Sequence, residues 1–379
     1  MSQYIGPKAS DIPVGTIGTG TVSANSLVVG SNVSLTTTQL SVGNSSVNTV
    51  ANSTAFYSSG NAFSPYGMKN RIINGDMRIW QRGTNFTNPT NAATAYAADR
   101  WSYYRGAYTA NVAASQTTGL TINGNNRNAL RIQRTANDAN TATVNLSQQI
   151  ESQNIRDLAG QTITVSAWVR VGTNFSASNL NMYVVTGTGV DESVRDAGFT
   201  GLVIPFNVQI PSSTTTYTKF TGTATLNSNI NELALQFNYV PAGTAGANDW
   251  FEIIDVQLEA GSVATPFERR QYGSELSLCQ RYYEFVSGGI SGYCAGSTIA
   301  RGGVQFKISK RATPTIDKSI TGTAYVNFTG ANPLITSYSL QIATPDGVYQ
   351  DFITSGTFTS GQGCLIYLPV STLSYSAEL

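Results

Sequence analysis

An all-β fold is predicted, on three observations. The polar residues are dominated by Ser, Thr, Asn and Gly rather than Glu and Lys, which disfavours helix and suits short strands joined by turns. Several runs alternate apolar and polar side chains with the period of two expected of half-buried strands. Between those runs lie clusters of Gly, Asn, Thr and Pro. With 379 residues the chain has room for more than one core. Three segments are expected: an extended β-rich stretch over 1–67, a β-sandwich over 68–271, and a smaller β-domain over 272–379.

The first segment carries no charge between Asp11 and Lys69. Within it "SLVVGSNV" (Ser26 to Val33) and "QLSVGNSSV" (Gln39 to Val47) place Leu27, Val29 and Gly30 thirteen positions before Leu40, Val42 and Gly43, a short strand-plus-turn repeat. A single uncharged strand of this kind buries little and exposes an edge, so it is expected to pair with copies of itself or with another protein. A flexible Ser/Gly linker is the alternative reading.

The second segment begins at "MKNRIINGDMRIWQRGT" (Met68 to Thr84), where five charged side chains and a tryptophan arrive together. It is read as a strand with Ile73, Met77 and Ile79 on one face and Asn74, Asp76, Arg78 and Trp80 on the other. "TITVSAWVRV" (Thr162 to Val171) turns Ile163, Val165, Ala167, Val169 and Val171 to one side and Trp168 and Arg170 to the other. "ELALQFNYV" repeats the pattern with Leu233, Leu235, Phe237 and Tyr239, and "EIIDVQLE" with Ile254, Val256 and Leu258. Antiparallel strands with one buried face account for all three.

The third segment opens on "YGSELSLCQRYYEF" (Tyr272 to Phe285), read as a short helix capped by Ser274 that turns Leu276, Cys279, Tyr282 and Tyr283 inward. Strand-like runs follow: "GVQFKIS", "TAYVNFT", "SYSLQIA", "DFITSGTF" and "CLIYLPV".

Composition also bounds the chemistry. The 22 basic and 21 acidic residues nearly cancel, so no global field favours nucleic acid or an anionic membrane. Histidine is absent, which removes Ser-His-Asp and Cys-His nucleophiles and every His-ligated metal site. Cys279, Cys294 and Cys364 form neither a disulfide framework nor a zinc pattern and are read as free or buried thiols. No cofactor is expected. The N-terminal "MSQYIGPKASDIPVG" has neither a basic leader nor an apolar core, and no apolar run reaches the roughly 20 residues that span a bilayer, so neither secretion by a signal peptide nor membrane insertion is expected.

Several blocks, taken in order, carry a resemblance. "NRIINGDMRIWQRGT", "YAADRW", "WFEIIDVQLEAGSVATPFERR", "ELSLCQRYYE", "KRATPT" and the closing "SAEL" resemble a family of bacteriophage tail fibre or receptor-binding proteins with a jelly-roll domain similar to carbohydrate-binding modules. The resemblance spans about Met68 to Leu379. It implies a jelly-roll sandwich, a homotrimer and attachment to host surface polysaccharide, and the position of the N-terminal segment makes it the expected docking site for other virion proteins, of tail or capsid. A virion protein made in the bacterial cytoplasm follows. A head or tail fibre or decoration protein without receptor contact, and a polysaccharide depolymerase, are the alternatives.

Sugar recognition calls for flat aromatic faces and planar polar side chains. "ADRWSYYRGAY" (Ala98 to Tyr108) supplies Trp101, Tyr103, Tyr104 and Arg105, and these with Trp168 are the expected carbohydrate-binding residues. Core packing of Trp101, with Asp99 and Arg100 paired, is the competing reading. Trp80 and Trp250 are further aromatic candidates. Asp76, Asp99, Glu252, Asp255, Glu259 and Glu268 raise the hydrolase reading, though no local pairing marks an acid and a base. "DWFEIID" lacks EF-hand spacing, so a calcium site is a minor suggestion. Lys307, Lys310 and Arg311 in "FKISKRATPT" are read either as contacts to an anionic polysaccharide or as the solvated face of an edge strand.

Overall fold

The structure is a computed structural model that describes residues 39–43, 48–52, 56–58, 61–63, 68–87, 95–105, 112–122, 124–195, 198–318, 324–328 and 332–379. The chain divides into two compact units, 1–63 and 64–379. In the first, β1 (Gln39–Gly43), β2 (Asn48–Asn52), β3 (Phe56–Ser58) and β4 (Asn61–Phe63) pair in sequence order as an antiparallel meander. The first repeat copy, Ser26 to Val33, lies outside the described residues.

The second unit opens with a sandwich of two six-stranded antiparallel sheets. One contains β6 (Ala95–Tyr96), β7 (Ser102–Arg105), β10 (Val144–Ile150), β12 (Asn179–Gly187), β13 (Val203–Pro211) and β15 (Glu232–Tyr239), in the order β13-β12-β15-β10-β7-β6. The other contains β5 (Asn85–Thr87), β8 (Val112–Ile122), β9 (Asn125–Arg134), β11 (Thr162–Val171), β14 (Thr218–Thr225) and β16 (Trp250–Ala260), in the order β14-β11-β16-β9-β8-β5.

Alternation decides what lies between the sheets. Ile163, Val165, Ala167 and Val169 of β11 are fully buried and meet Leu233, Leu235, Phe237 and Tyr239 of β15 in one core. Ile254 departs from the expected pattern. Asp255 has a left-handed φ of 48° and the β11–β16 register shifts between Ser166 and Trp168, so a bulge turns Ile254 outward while Ile253, Val256 and Leu258 stay in the core. The core also contains an ion pair: Arg134 and Asp249, both 0% exposed, meet at 2.7 Å. The Arg134 guanidinium also donates to the carbonyls of Asp138 and Asn140.

Residues 71–79 are a turn rather than the expected strand. Asn74 and Met77 both adopt φ of 56°, which breaks alternation, and the Asn74 side chain accepts from the amides of Arg78 and Ile79. The turn lies against β16 so closely that a Cβ on Gly75 would stand 2.1 Å from the Val256 carbonyl oxygen. Ile72, Met77 and Ile79 are buried here, and Asn74 and Asp76 are buried with them.

Beyond the sandwich, α1 (Tyr272–Gln280) leads into a seven-stranded antiparallel sheet: β17 (Tyr283–Cys294), β18 (Ile299–Gln305), β19 (Thr315–Lys318), β20 (Tyr325–Asn327), β21 (Ile335–Thr344), β22 (Gly347–Thr354) and β23 (Gly363–Ser376). The helix starts two residues before the expected cap: Gln271 is its N-cap without a side-chain bond, and Ser274 is exposed inside the first turn. Cys279, Tyr282 and Tyr283 are buried as expected, whereas Leu276 is half-buried. All three cysteines are free, Cys279 and Cys294 in buried positions.

Residues 377–379 return to the sandwich. Glu378 pairs with Arg100 and, at 3.2 Å, with Arg82, while Tyr96 donates its hydroxyl proton to the Leu379 carbonyl at 2.9 Å. Arg311 donates to the carbonyls of Ala377 and Glu378. Lys310 is also structural: it is 2% exposed and donates to Glu284 at 2.6 Å and to the Gln280 carbonyl. Neither surface reading of the basic run applies to it. Lys307 alone of the three is well exposed.

Candidate glycan-binding face

The outer face of the first sheet is built from the polar half of each strand's alternation. In β12, Leu180, Met182 and Val184 enter the core, which leaves Asn181 and Tyr183 on the opposite face; in β15, Gln236 and Asn238 are on that face for the same reason, and Gln236, like Asn145 and Ser147 of β10, is buried there. Cross-strand register then aligns these side chains in two rungs. Tyr104, Asn145, Asn238, Asn181 and Gln209 form one across β7, β10, β15, β12 and β13. Ser102, Ser147, Gln236, Tyr183 and Asn207 form the other. Five strands at about 4.8 Å spacing give each rung a length of about 19 Å.

Hydrogen bonds fix the orientation of the amides. Asn207 donates to Asn181 Oδ1 at 3.2 Å, Asn181 donates to Asn238 Oδ1 at 3.2 Å, and Asn238 donates to the Tyr183 hydroxyl at 2.7 Å. Gln236 donates to the Tyr104 hydroxyl at 3.4 Å, and the Arg195 guanidinium lies 5.6 Å from the Tyr104 ring centre. Burial pushes the Tyr183 phenol up to about 12, so it stays neutral at ordinary pH. None of the rung side chains is a carboxylate or a cation. Amides and hydroxyls that both donate and accept, beside two tyrosine rings, are matched to the hydroxyl-rich surface of an uncharged sugar.

One end of this face is closed by the loop after β12. Gln149 accepts from the Val194 amide at 3.1 Å and donates to the Glu192 carbonyl. Glu232, the first residue of β15 and 1% exposed, accepts from the Glu192 amide through Oε1, while its Oε2 has no hydrogen-bond partner among the described residues. Burial, reinforced by the neighbouring Glu192 and Asp191 carboxylates, pushes its carboxyl up to about 7.

The expected site residues do not form one group. Tyr104 is on the face just described. Trp101 is 0% exposed, lies against Phe237 and donates Nε1 to the Asn74 carbonyl at 3.2 Å; Tyr103, on the inward side of β7, is 2% exposed. Both are core residues, because the left-handed turn at Arg100 (φ 73°) sets the phase of the short strand that follows. The side chain of Arg105, and Tyr108, lie outside the described residues. Trp168 stands on the outer face of the other sheet, half-buried against the cluster of Ile122, Ala129 and Ile254. On that same face the Trp250 ring lies 4.2 Å from Arg131 and 5.2 Å from Arg170. Trp80 stacks on Phe86.

The proposed acids are mostly engaged inside the fold. Glu252, fully buried, accepts from Arg131, Arg170, Thr117 and Tyr217, and those donors hold its carboxyl below the usual range against the cost of burial. Asp99 accepts from the Gln81 amide at 2.9 Å, Glu259 from Thr265, and Glu268 from the Asn70 amide. Among the described residues no group of three His, Cys, Asp or Glu is placed to hold a metal, and no helix is long and apolar enough to cross a membrane. Sequence reasoning missed Asn145, Asn181, Tyr183, Asn207, Gln236 and Asn238. The signal was the off-face of strands already recognised by their apolar positions.

No protein-family model matches the chain, and no curated protein matches it. Among solved structures the chain is similar to the enzymatically active domain of tailspike protein 4 of bacteriophage CBA120, at 11% identity and a TM-score of 0.32, over 53% of this chain and 22% of that one. A putative sugar binding protein from Bacteroides thetaiotaomicron gives 14% identity and a TM-score of 0.32 over 51% of this chain and 100% of that one. The CBM22-1 xylan-binding domain from Paenibacillus barcinonensis gives 13% and 0.29 over 48% and 98%. Likenesses of this size decide neither fold nor function, and the sandwich assignment rests on the strand pairing itself.

Proposed function

We propose that the protein binds glycans without cleaving them, through the two-rung face of the first sheet, and that its ligand is an uncharged polysaccharide chain laid across the strands. The observation that carries this reading is the uncharged, pre-oriented row of Asn181, Asn238 and Tyr183 beside Tyr104. No carboxylate stands in either rung to serve as an acid or a nucleophile, so the face is assigned a binding role. The sequence resemblance supports the biological setting, a homotrimeric bacteriophage tail fibre protein that attaches the particle to host surface polysaccharide, and position alone gives residues 1–67 the docking to other virion proteins. Weak binding at each face would be multiplied by the copies on each particle.

The test is retention of the purified protein on immobilised host polysaccharides, with release of shortened glycan followed in parallel. Wild type is expected to be retained without shortening the glycan. Replacing a half-buried aromatic that stacks on a sugar removes on the order of 1 kcal/mol, so Tyr183→Ala is expected to weaken retention about fivefold when measured well below the melting temperature. Undiminished retention by Tyr183→Ala and Asn181→Ala would move the site elsewhere, and release of shortened chains would make the protein a depolymerase.

A further inference from the structure

Beside the second sheet, where the β8–β9 hairpin meets the turn of residues 74–77, lies a cavity of about 310 Å³ whose lining includes Asp76, Arg78, Arg127, Arg269, Asn126 and Gly119. Irregular backbone brings these residues together. The two left-handed residues Asn74 and Met77 present Asp76, the β8 bulge at Gly119 (φ 70°) opens the hairpin, and the bulge at Asp255 sets its carboxylate 2.6 Å from Arg127 Nε.

The charges are unevenly used. Arg78 Nε is 2.6 Å from Asp76 Oδ2, and Arg78 Nη2 donates to the Arg270 carbonyl at 2.6 Å. Arg269, with 45% of its side chain exposed, has no hydrogen bond among the described residues and comes only within 3.9 Å of Asp76. Asp76 itself is 3% exposed, and neither of its carboxylate oxygens accepts a well-formed hydrogen bond among the described residues. Burial pushes its carboxyl up, with Arg78 and Arg269 opposing. Oδ2 has Arg78 as its ion-pair partner, but Oδ1 is left without a donor, which is costly in a buried carboxylate, and Asp76 lines the cavity.

A simple anion would satisfy Arg269 but bring a second negative charge to Asp76. A neutral sugar would donate to Asp76 and leave the guanidinium without a partner. We propose that the cavity binds a uronic-acid unit, an acidic sugar whose carboxylate is taken by Arg269 and the free edge of Arg127 while a ring hydroxyl donates to Asp76 and others meet Asn126. At about 310 Å³ the cavity is at the small end of ligand pockets, which run from about 300 to 1,000 Å³, and suits one ring. The site is separate from the uncharged face of the first sheet.

The experiment titrates the full chain with D-glucuronate, D-glucose and acetate at constant ionic strength, by calorimetry or ligand-observed magnetic resonance. Glucuronate is expected to bind at least tenfold more tightly than either of the others. Arg269→Ala should weaken it at least tenfold, and the near-isosteric Asp76→Asn should bring glucuronate close to acetate. Tyr183→Ala should leave glucuronate affinity unchanged even as it weakens retention on neutral polysaccharide, so failure of one site is distinguishable from failure of the other. The proposal is overturned by acetate binding as tightly as glucuronate, by no saturable glucuronate binding, by full affinity in Arg269→Ala, or by loss of affinity in Tyr183→Ala.

Discussion

Replacing Glu232 by Gln separates the cost of its charge from its packing. The carboxyl is buried at the start of β15 beside Glu192, and its affinity for a proton rises from an ordinary 4.5 to about 7. At about 1.4 kcal/mol for each tenfold in proton affinity, the difference amounts to about 3 kcal/mol. The sign follows from the folded value lying above the unfolded one. Below about pH 4.5 the acid is neutral in both states; between about pH 4.5 and 7 the unfolded chain releases its proton first, and stability falls until the folded acid ionises. Glutamine keeps the shape and an acceptor for the Glu192 amide but cannot ionise. Urea unfolding of wild type and Glu232→Gln at about pH 4.5, 6 and 8 should therefore show the wild type losing about 3 kcal/mol relative to the variant between the lowest and highest pH. A difference independent of pH, or one that favours the wild type as pH rises, would refute the reasoning.

Two further outcomes are expected. Trp101→Ala, which empties a fully buried site against Phe237, should cost about 3–5 kcal/mol in chemical denaturation, while glycan retention measured well below the melting temperature stays intact. Arg134→Met should cost about 3–5 kcal/mol by the same assay, because Asp249 is then left as an unpaired charge at 0% exposure.

Much of the fold was legible wherever a strand was long and regular. The core-facing side of Thr162–Val171 was readable, because ten positions of strict alternation leave one solution for it, although Thr164 and Ser166 on the opposite face are buried as well. Legibility ended at irregular backbone. Asp255 carries no sequence mark that it will adopt a left-handed conformation, and that one residue reverses Ile254 relative to Val256. "RIINGDMRIW" alternates well enough to pass for a strand, yet Asn74 is used as a turn former whose side chain caps the amides that a strand would have paired. The aromatic cluster at Trp101 to Tyr104 divides between core and surface, since in a four-residue strand the phase is set by the preceding turn rather than by composition. The rungs of the candidate face were illegible for a further reason. Asn145, Asn181 and Asn238 are far apart in sequence and come into line only through cross-strand register, which one sequence does not display.

The seat of Glu378 bears on the order in which the molecule is built. Arg100 is buried at the corner of the β6–β7 hairpin, and its carboxylate partner lies 278 positions further along the chain. At a synthesis rate of about 5–20 residues per second, the hairpin waits on the order of tens of seconds before that carboxylate exists. Once Gln149 is made the guanidinium has its carbonyl at 2.6 Å but still no carboxylate partner in Glu378, and the hydroxyl of Tyr96 has no Leu379 carbonyl to bond. This corner of the sandwich is therefore held below its final stability until residues 377–379 arrive. A nascent chain arrested before residue 378 should expose this corner to protease, and one extended past residue 379 should protect it.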